Sequence, residues 1–318
     1  MNDKKIILKD LLPFIVVCAF VPFIFSGKFV SSVKNGLNFY ALVILPSAFL
    51  IFFITAYISR LNVTKFLASK TSPFFLRAFN VNSYGGLAFI IGLVSGYPAG
   101  AKIVADFTTA NLIEREDAKR VCCLVSTPPI SFTVFTLGRI MLGNTILGVK
   151  IYLVCLFSSL VSAFLFCRSK NKPTQIPQRY ESSAGAIYDS AFSACSTALT
   201  VGALIVVFYV LCDVLACYDL LCPIERAFYA IFGDIEIAKG LTQGIFESTK
   251  GLKILSSAKN KNLGMATCCF LVGLSGISNI TQAIIFLKKA KIKTARFILS
   301  KIVCAVLSFL VGYSVSFV

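Results

Sequence analysis

Apolar runs long enough to cross a bilayer alternate along this chain with short basic clusters, and two of those runs break at a small polar kink and then resume. The first interrupted run covers residues 85–112 and breaks around Ser95-Gly96-Tyr97-Pro98-Ala99-Gly100-Ala101-Lys102. The second covers residues 265–292 and breaks around Ser275-Gly276-Ile277-Ser278-Asn279-Ile280-Thr281-Gln282. Ser95 and Gly96 fall opposite Ser275 and Gly276, and Ala110-Asn111-Leu112 falls opposite Ala290-Lys291-Ile292. Few letters are shared between the copies, so the duplication rests on pattern. Paired interrupted segments in the two halves of a membrane protein point to a binding or translocation site near the bilayer midplane.

Roughly 20 residues at about 1.5 Å each cross a hydrocarbon core, so residues 37–59 form a span. Arg60, Lys65, Lys70 and Arg77 follow it, and the positive-inside rule puts the loop 60–80 in the cytoplasm. The earlier run, 11–25, follows Lys4, Lys5 and Lys9, is interrupted by Pro13 and Pro22, and lacks a clear small-residue cleavage site. It reads as a retained first helix with a cytoplasmic N-terminus rather than a signal peptide. The halves of the interrupted run 85–110, each about 15 Å long, reach only the midplane, which fits a re-entrant hairpin. Charge agrees: a hairpin leaves residues 114–120 and the basic stretch 168–183, with Arg168, Lys170, Lys172 and Arg179, on the cytoplasmic side.

Residues 114–142 are interrupted by Ser126-Thr127-Pro128-Pro129, which predicts a helix unwound in its middle. Residues 146–166, 186–215 and 297–313 are further spans. Residues 224–241 form an apolar helix broken up by Glu225, Arg226, Asp234, Glu236 and Lys239, placed at the interface or along a cavity. An inverted repeat requires the second hairpin to enter from the opposite face. Its basic flanks, Lys250 to Lys261 before it and Lys288 to Arg296 after it, argue instead for the cytoplasm, a conflict that charge alone leaves standing.

The expected architecture is therefore an all-α polytopic integral membrane protein, multi-pass in the cell membrane, with two repeats that each contain an interrupted or re-entrant helical hairpin. Its parts are an N-terminal membrane helix (1–36), a first membrane repeat (37–168), a polar linker (169–185) and a second membrane repeat (186–318). Composition supports this class: 57% of residues are hydrophobic and 14% charged, and the mean hydropathy is +0.83, against about 25% charged in soluble domains. The net charge of +17 sits in clusters between apolar runs, a distribution suited to anionic lipid and topology rather than to nucleic acid. With no His in the chain, His-dependent triads, His-ligated zinc and His proton relays are excluded. The 12 Cys show no CxxC spacing and read mainly as small packing residues, although Cys217 and Cys222 flank Asp219 in a loop where a disulfide is conceivable. No metal or cofactor site is expected, and catalysis lacks a clustered nucleophile and base.

Around the first break, Ser95, Gly96, Tyr97, Pro98 and Gly100 free backbone groups to face a ligand, with half-helix dipoles suited to an electron-rich substrate group. The alternative is a kink that serves close helix packing. Lys102 and Asp106, four apart, share a helix face and either neutralise each other or line a polar cavity. At the second break, Ser275, Gly276, Ser278, Asn279, Thr281 and Gln282 offer uncharged donors and acceptors for a heterocyclic base or sugar hydroxyl, or caps for half-helices. Ser126 and Thr127 are weaker candidates of the same kind. Among acidic groups Asp213 and Asp234 read as interfacial helix ends, while Asp106 and Glu236 are candidates for a coupling ion or an ion pair.

Three stretches carry a family resemblance: residues 92–102, Gly233-Asp234-Ile235-Glu236-Ile237-Ala238-Lys239-Gly240, and residues 273–282. In their order and spacing they resemble the sporulation integral membrane protein YlbJ family, within the wider group carrying the nucleoside recognition or Gate domain; Ser95-Gly96-Tyr97-Pro98-Ala99-Gly100-Ala101-Lys102 is the most specific string. The resemblance implies a membrane protein of endospore-forming bacteria with a Gate fold similar to part of concentrative nucleoside transporters. This chain departs from the pattern at Ser126-Thr127-Pro128-Pro129, where an Asn-rich stretch ending in Gly-Pro is expected, and around Gln282. The functional expectation is a protein that moves or recognises a small polar solute during sporulation, its partners the lipid bilayer, that solute, and a second copy or another membrane protein. The alternative is a non-transporting structural or assembly factor of the envelope.

Overall fold

A computed structural model describes residues 24–25, 27–61, 63–167 and 185–315, and no strand occurs among them. The expected first helix 11–25 and the linker 169–185 lie almost wholly outside the described residues. Helix α1 (Gly27–Phe39) passes through a π-helical turn (Tyr40–Ile44) into α2 (Leu45–Ile58). The expected loop 60–80 is instead largely helical: α3 (Val63–Phe79) precedes α4 (Ser83–Ser95), and its last turns, Pro73–Phe79, meet α4 at 88°. After α4 come α5 (Ala99–Thr109), α6 (Arg115–Leu124), the π-helical α7 (Ser131–Met141) and α8 (Thr145–Cys167). The second half holds α9 (Ala186–Cys217), α10 (Cys222–Phe232), α11 (Ile235–Phe246), α12 (Ser248–Leu255), α13 (Lys261–Leu274), α14 (Gly276–Lys289) and α15 (Ala295–Ser314). Among the described residues four helical stretches, Thr145–Cys167, Ala186–Cys217, Lys261–Lys289 and Ala295–Ser314, are long and apolar enough to cross a membrane, and bent pairs raise the number to as many as six. Their outward faces expose Leu153, Phe157, Leu199, Val207, Ile302 and Leu310, which suits lipid contact. The chain is an all-α, multi-pass membrane protein.

Helices α4 and α5 form a re-entrant hairpin. Asn82, which caps α4 by accepting from Gly85 N (2.8 Å), also donates to Leu112 O just beyond α5 (3.2 Å), so the chain returns to the level from which it entered. Tyr84 and Phe107 meet edge to face at 5.9 Å across the same base. Next comes a crossing helix broken in its middle, α6 to α7, and then the whole span α8.

The same order recurs in the second half, in a different register from that of the two sequence breaks. Helices α11 and α12 form the second hairpin, turning at Glu247. Asp234 closes its base as Asn82 closes the first: Oδ1 accepts from Glu236 N (2.9 Å) and Ile237 N (3.4 Å), and Oδ2 from Lys259 N (2.9 Å) and Asn260 N (3.2 Å). The broken span α13 to α14 and the whole span α15 follow. The counterpart of the hairpin 85–112 is therefore residues 235–255, and the segment 265–292 crosses rather than returns. The sequence unit 224–241 is correspondingly two helices, separated by Gly233 in the left-handed conformation.

Two apolar clusters at opposite ends of the bundle show that the repeats are inverted. Along α8, Ile151 and Cys155 belong to one cluster and Ala163 and Cys167 to the other. The base of the first hairpin (Tyr84, Phe107, Leu112) packs with the Cys167 end, whereas the base of the second (Ile237, Leu255, Ala258) packs with the Ile151 end. The halves of α13 and α14 divide in the same way, with Cys268 and Leu271 in one cluster and Phe286 and Leu287 in the other. The two basic flanks of the segment 265–292 therefore lie at opposite ends of a crossing helix, Lys259 and Lys261 at one and Lys288 to Arg296 at the other.

Asp234 supplies a test of the second hairpin's closure. Its burial pushes the carboxyl up, but four backbone N–H groups outweigh that and hold it below the ordinary value of 3.8. A depressed carboxyl contributes stability that is present above its unfolded value and lost as pH falls through the folded one. Asp234→Asn is therefore expected to lower the melting temperature at neutral pH, by about 2 kcal/mol in stability, and to flatten the acid limb below about pH 4. Identical acid limbs in the two proteins would show that the carboxylate does not hold the hairpin base.

Candidate functional site

The first hairpin's tip is Gly96-Tyr97-Pro98, with a cis Tyr97–Pro98 bond. It rests on the unwound stretch between α6 and α7. Tyr97 N donates to Thr127 O (3.1 Å), and Thr127 Oγ1 donates back to Gly92 O (3.0 Å). Prolines 128 and 129 bring no N–H to this stretch, so its carbonyls need outside donors. Ser126 O receives one from Lys301 Nζ on α15 at 3.3 Å. Lys301 is 2% exposed, sits 4.5 Å from the centre of the Tyr97 ring, and forms no ion pair among the described residues. Tyr97 Oη in turn donates to Val272 O at 3.0 Å, tying the first hairpin's tip to the second broken span.

The second tip mirrors the arrangement. Ser275 and Gly276 both take positive φ, 68° and 74°, and a Cβ on Gly276 would stand 3.0 Å from Ser248 N. Glu247 caps α12: its Oε1 accepts from Thr249 N (3.1 Å) and Thr249 Oγ1 (2.8 Å). Asn279 Nδ2 donates to Ser275 O (2.8 Å) and reaches Ser248 Oγ at 3.4 Å. Each hairpin tip thus packs on the break of the broken span in its own repeat.

Between the two tips lies a cavity of about 70 Å³. Its polar lining comes from Ser95 and Tyr97 of the first tip, Ser131 beyond the first break, Ser248 and Thr249 of the second tip, and Asn279 beyond the second break. Opposite these stands an apolar wall from α2 and α9, including Phe52, Val201 and Ile205. At about 10–15 Å³ per water by this kind of measure, the space holds a handful of waters. A larger solute requires the tips to part from the α2/α9 wall.

Of the residues singled out in the sequence, Ser95, Tyr97, Pro98 and Asn279 line this cavity. Gly96 and Gly100 face the backbone of the first break: a Cβ on Gly100 would stand 2.5 Å from Val125 O. Ser275 and Gly276 shape the second break, Ser275 Oγ bonding to Leu274 O. Gln282 is wholly buried behind the cavity and donates to Ser278 Oγ at 3.3 Å. Lys102 and Asp106 pair with each other at 2.7 Å, further down α5, where Asp106 is 43% exposed. Glu236 stands in the first turn of α11 at the hairpin base, away from the tip. Asp213 is partnered by Ser32 and Lys250. Cys217 and Cys222 are separate thiols.

Glu247 and Lys301 are the functional candidates that sequence reasoning passed over. Lys301 lies inside the last apolar run, and an ionisable group in a span is itself a signal. Glu247 lies in a stretch whose charges masked its re-entrant character.

No protein-family model matches the chain. It is 25% identical over 300 residues to the sporulation integral membrane protein YlbJ of Bacillus subtilis (strain 168), an alignment that covers 85% of this chain and 73% of YlbJ. The chain is thus similar over most of its length to a sporulation integral membrane protein, in keeping with its own multi-pass helical architecture.

Proposed function

We propose that the protein moves or recognises a small polar solute at the crossing of its two hairpin tips and two broken spans. The observation that carries this reading is the convergence of all four elements on one cavity with a polar floor and an apolar wall. Unwound backbone and half-helix ends at the middle of a bilayer are tolerated where they line such a cavity, and inverted repeats let the two halves rock about it. Ser, Thr, Tyr and Asn hydroxyls and amide suit a neutral, hydroxyl- or amide-bearing solute, and the Gate-type likeness points the same way. Basic residues lie at both ends of the bundle, Arg77, Arg115, Lys288, Lys289 and Arg296 at the Cys167 end and Lys150, Lys259 and Lys261 at the Ile151 end, a distribution that suits anionic headgroups. The proposed role is binding or movement of the solute rather than its chemical conversion.

The test is a thermal-shift screen of the purified chain against nucleosides, bases, amino acids and small carboxylates, with Asn279→Ala and Thr249→Ala alongside. The expected result is a ligand that stabilises the wild type and loses at least tenfold in affinity, about 1.4 kcal/mol, in either variant. No hit in a folded, monodisperse sample, together with a stoichiometric membrane partner captured by cross-linking, would favour an assembly factor instead.

A further inference from the structure

Glu247 stands at the tip of the second hairpin with no exposed surface. Thr249 satisfies its Oε1, but its Oε2 has no hydrogen-bond partner among the described residues. Gln282, equally buried, gives its Nε2 to Ser278 Oγ, and its Oε1 is likewise unpartnered. The Ser278 hydroxyl also lies beside the Glu247 carboxyl, outside hydrogen-bond geometry to Oε2. The three side chains form one buried cluster in which two acceptor oxygens lack a donor among the described residues.

Among the described residues the carboxyl forms no ion pair, although the charge of Lys250 acts on it. On α12 the neighbouring Lys250 is engaged by Asp213 and lies 4.5 Å from the centre of the Tyr209 ring. Tyr209, Cys212 and Asp213 on α9 and Tyr97 at the first tip are the other titratable groups around Glu247 and the neighbouring Lys250, and α14 faces it with the uncharged Ser278 and Gln282. A bare carboxylate oxygen in a dry interior is costly. Three side-chain oxygens are few to replace the hydration shell of an alkali ion. A proton needs only one.

We propose that Glu247, Ser278 and Gln282 form a cation site, filled in this closed arrangement by a proton on Glu247 Oε2. Binding adds one O–H bond at Oε2, which then donates to the acceptor oxygens around it, and it removes the net charge. The proton comes from water when the second tip opens to one side and returns to water when it opens to the other. Calling it the coupling ion rests on the solute-moving reading above; the protonated carboxyl does not.

The experiment is thermal unfolding of the full chain in detergent from about pH 5 to about pH 9, for the wild type and Glu247→Gln, in sodium chloride and in choline chloride. Glutamine mimics the neutral acid. As pH rises the wild type must either give up the proton and bury a charge or unfold, so its melting temperature is expected to fall by about 3 °C or more relative to the variant, equally in both salts. Matching pH profiles would overturn the proposal. A sodium-dependent rise seen in the wild type and absent from the variant would replace the proton with sodium. Should Glu247→Gln fail to fold, infrared spectroscopy of the wild type decides: a protonated-carboxyl C=O band at neutral pH, shifted in D2O and displaced by Gln282→Leu, is expected, and its absence refutes the site. Solute binding is scored separately, so an empty ligand screen leaves this result standing.

Discussion

Gly96→Ala is expected to destabilise the protein by on the order of 3–5 kcal/mol, from two sources that act together. Gly96 takes φ 66° and ψ −168°, a region essentially closed to residues with a Cβ. A Cβ there would also stand 2.4 Å from Pro129 Cα, a backbone atom in the unwound stretch that cannot swing aside. Gly143 supplies a comparison, since its φ of 67° is also positive and nothing lies within 4 Å of its Cβ position. Gly143→Ala is expected to cost about 1–2 kcal/mol, the conformational part alone. A loss at Gly96 well beyond that at Gly143 is the result expected if the first tip packs on the first break. Equal losses in the two variants would mean that the tip does not rest on Pro129, and the cavity would lose one of its four sides.

That tip was legible in the sequence because glycine and proline announce it. Gly96, Pro98 and the Ser126-Thr127-Pro128-Pro129 interruption all mark positions where helical hydrogen bonding must fail, and the structure unwinds at both. Ser275-Gly276 marks a break equally well, but a break says nothing about direction: whether the chain returns or continues depends on which end of the bundle each half packs against. The second hairpin escaped for the opposite reason. Its turn needs one extended residue, Glu247 with φ −131° and ψ 103°, and neither glycine nor proline. Its helices carry Glu236, Lys239, Lys250 and Lys253, so an apolar-run reading sees an interfacial segment. The symmetry became visible only through Asn82 and Asp234, two capping side chains with the same task at opposite ends of the molecule. Pairing the breaks by their shared Ser-Gly letters matched a returning segment with a crossing one.

Lys301→Ala is expected to be the most damaging single change on the whole-span helices, at about 3–6 kcal/mol. The loss has two parts. Truncation removes a buried four-carbon stem and the ammonium over the Tyr97 ring, and it strips Ser126 O of the donor that the neighbouring prolines cannot supply. Lys301→Met restores the stem without the donor. It also removes a buried ammonium that has no carboxylate partner among the described residues, and that relief offsets part of the orphaned carbonyl, leaving a net cost of about 1–2 kcal/mol. The ordering, with alanine far below methionine and methionine slightly below wild type, follows if Lys301 serves as the brace of the unwound stretch. Should methionine instead be as damaging as alanine, the charge itself would be the stabilising element, and an anion missing from this arrangement would have to sit against it. Should both variants melt with the wild type, the first break would hold its shape without α15, and the two repeats would be coupled at the first tip by the Tyr97 hydroxyl and Val272 alone.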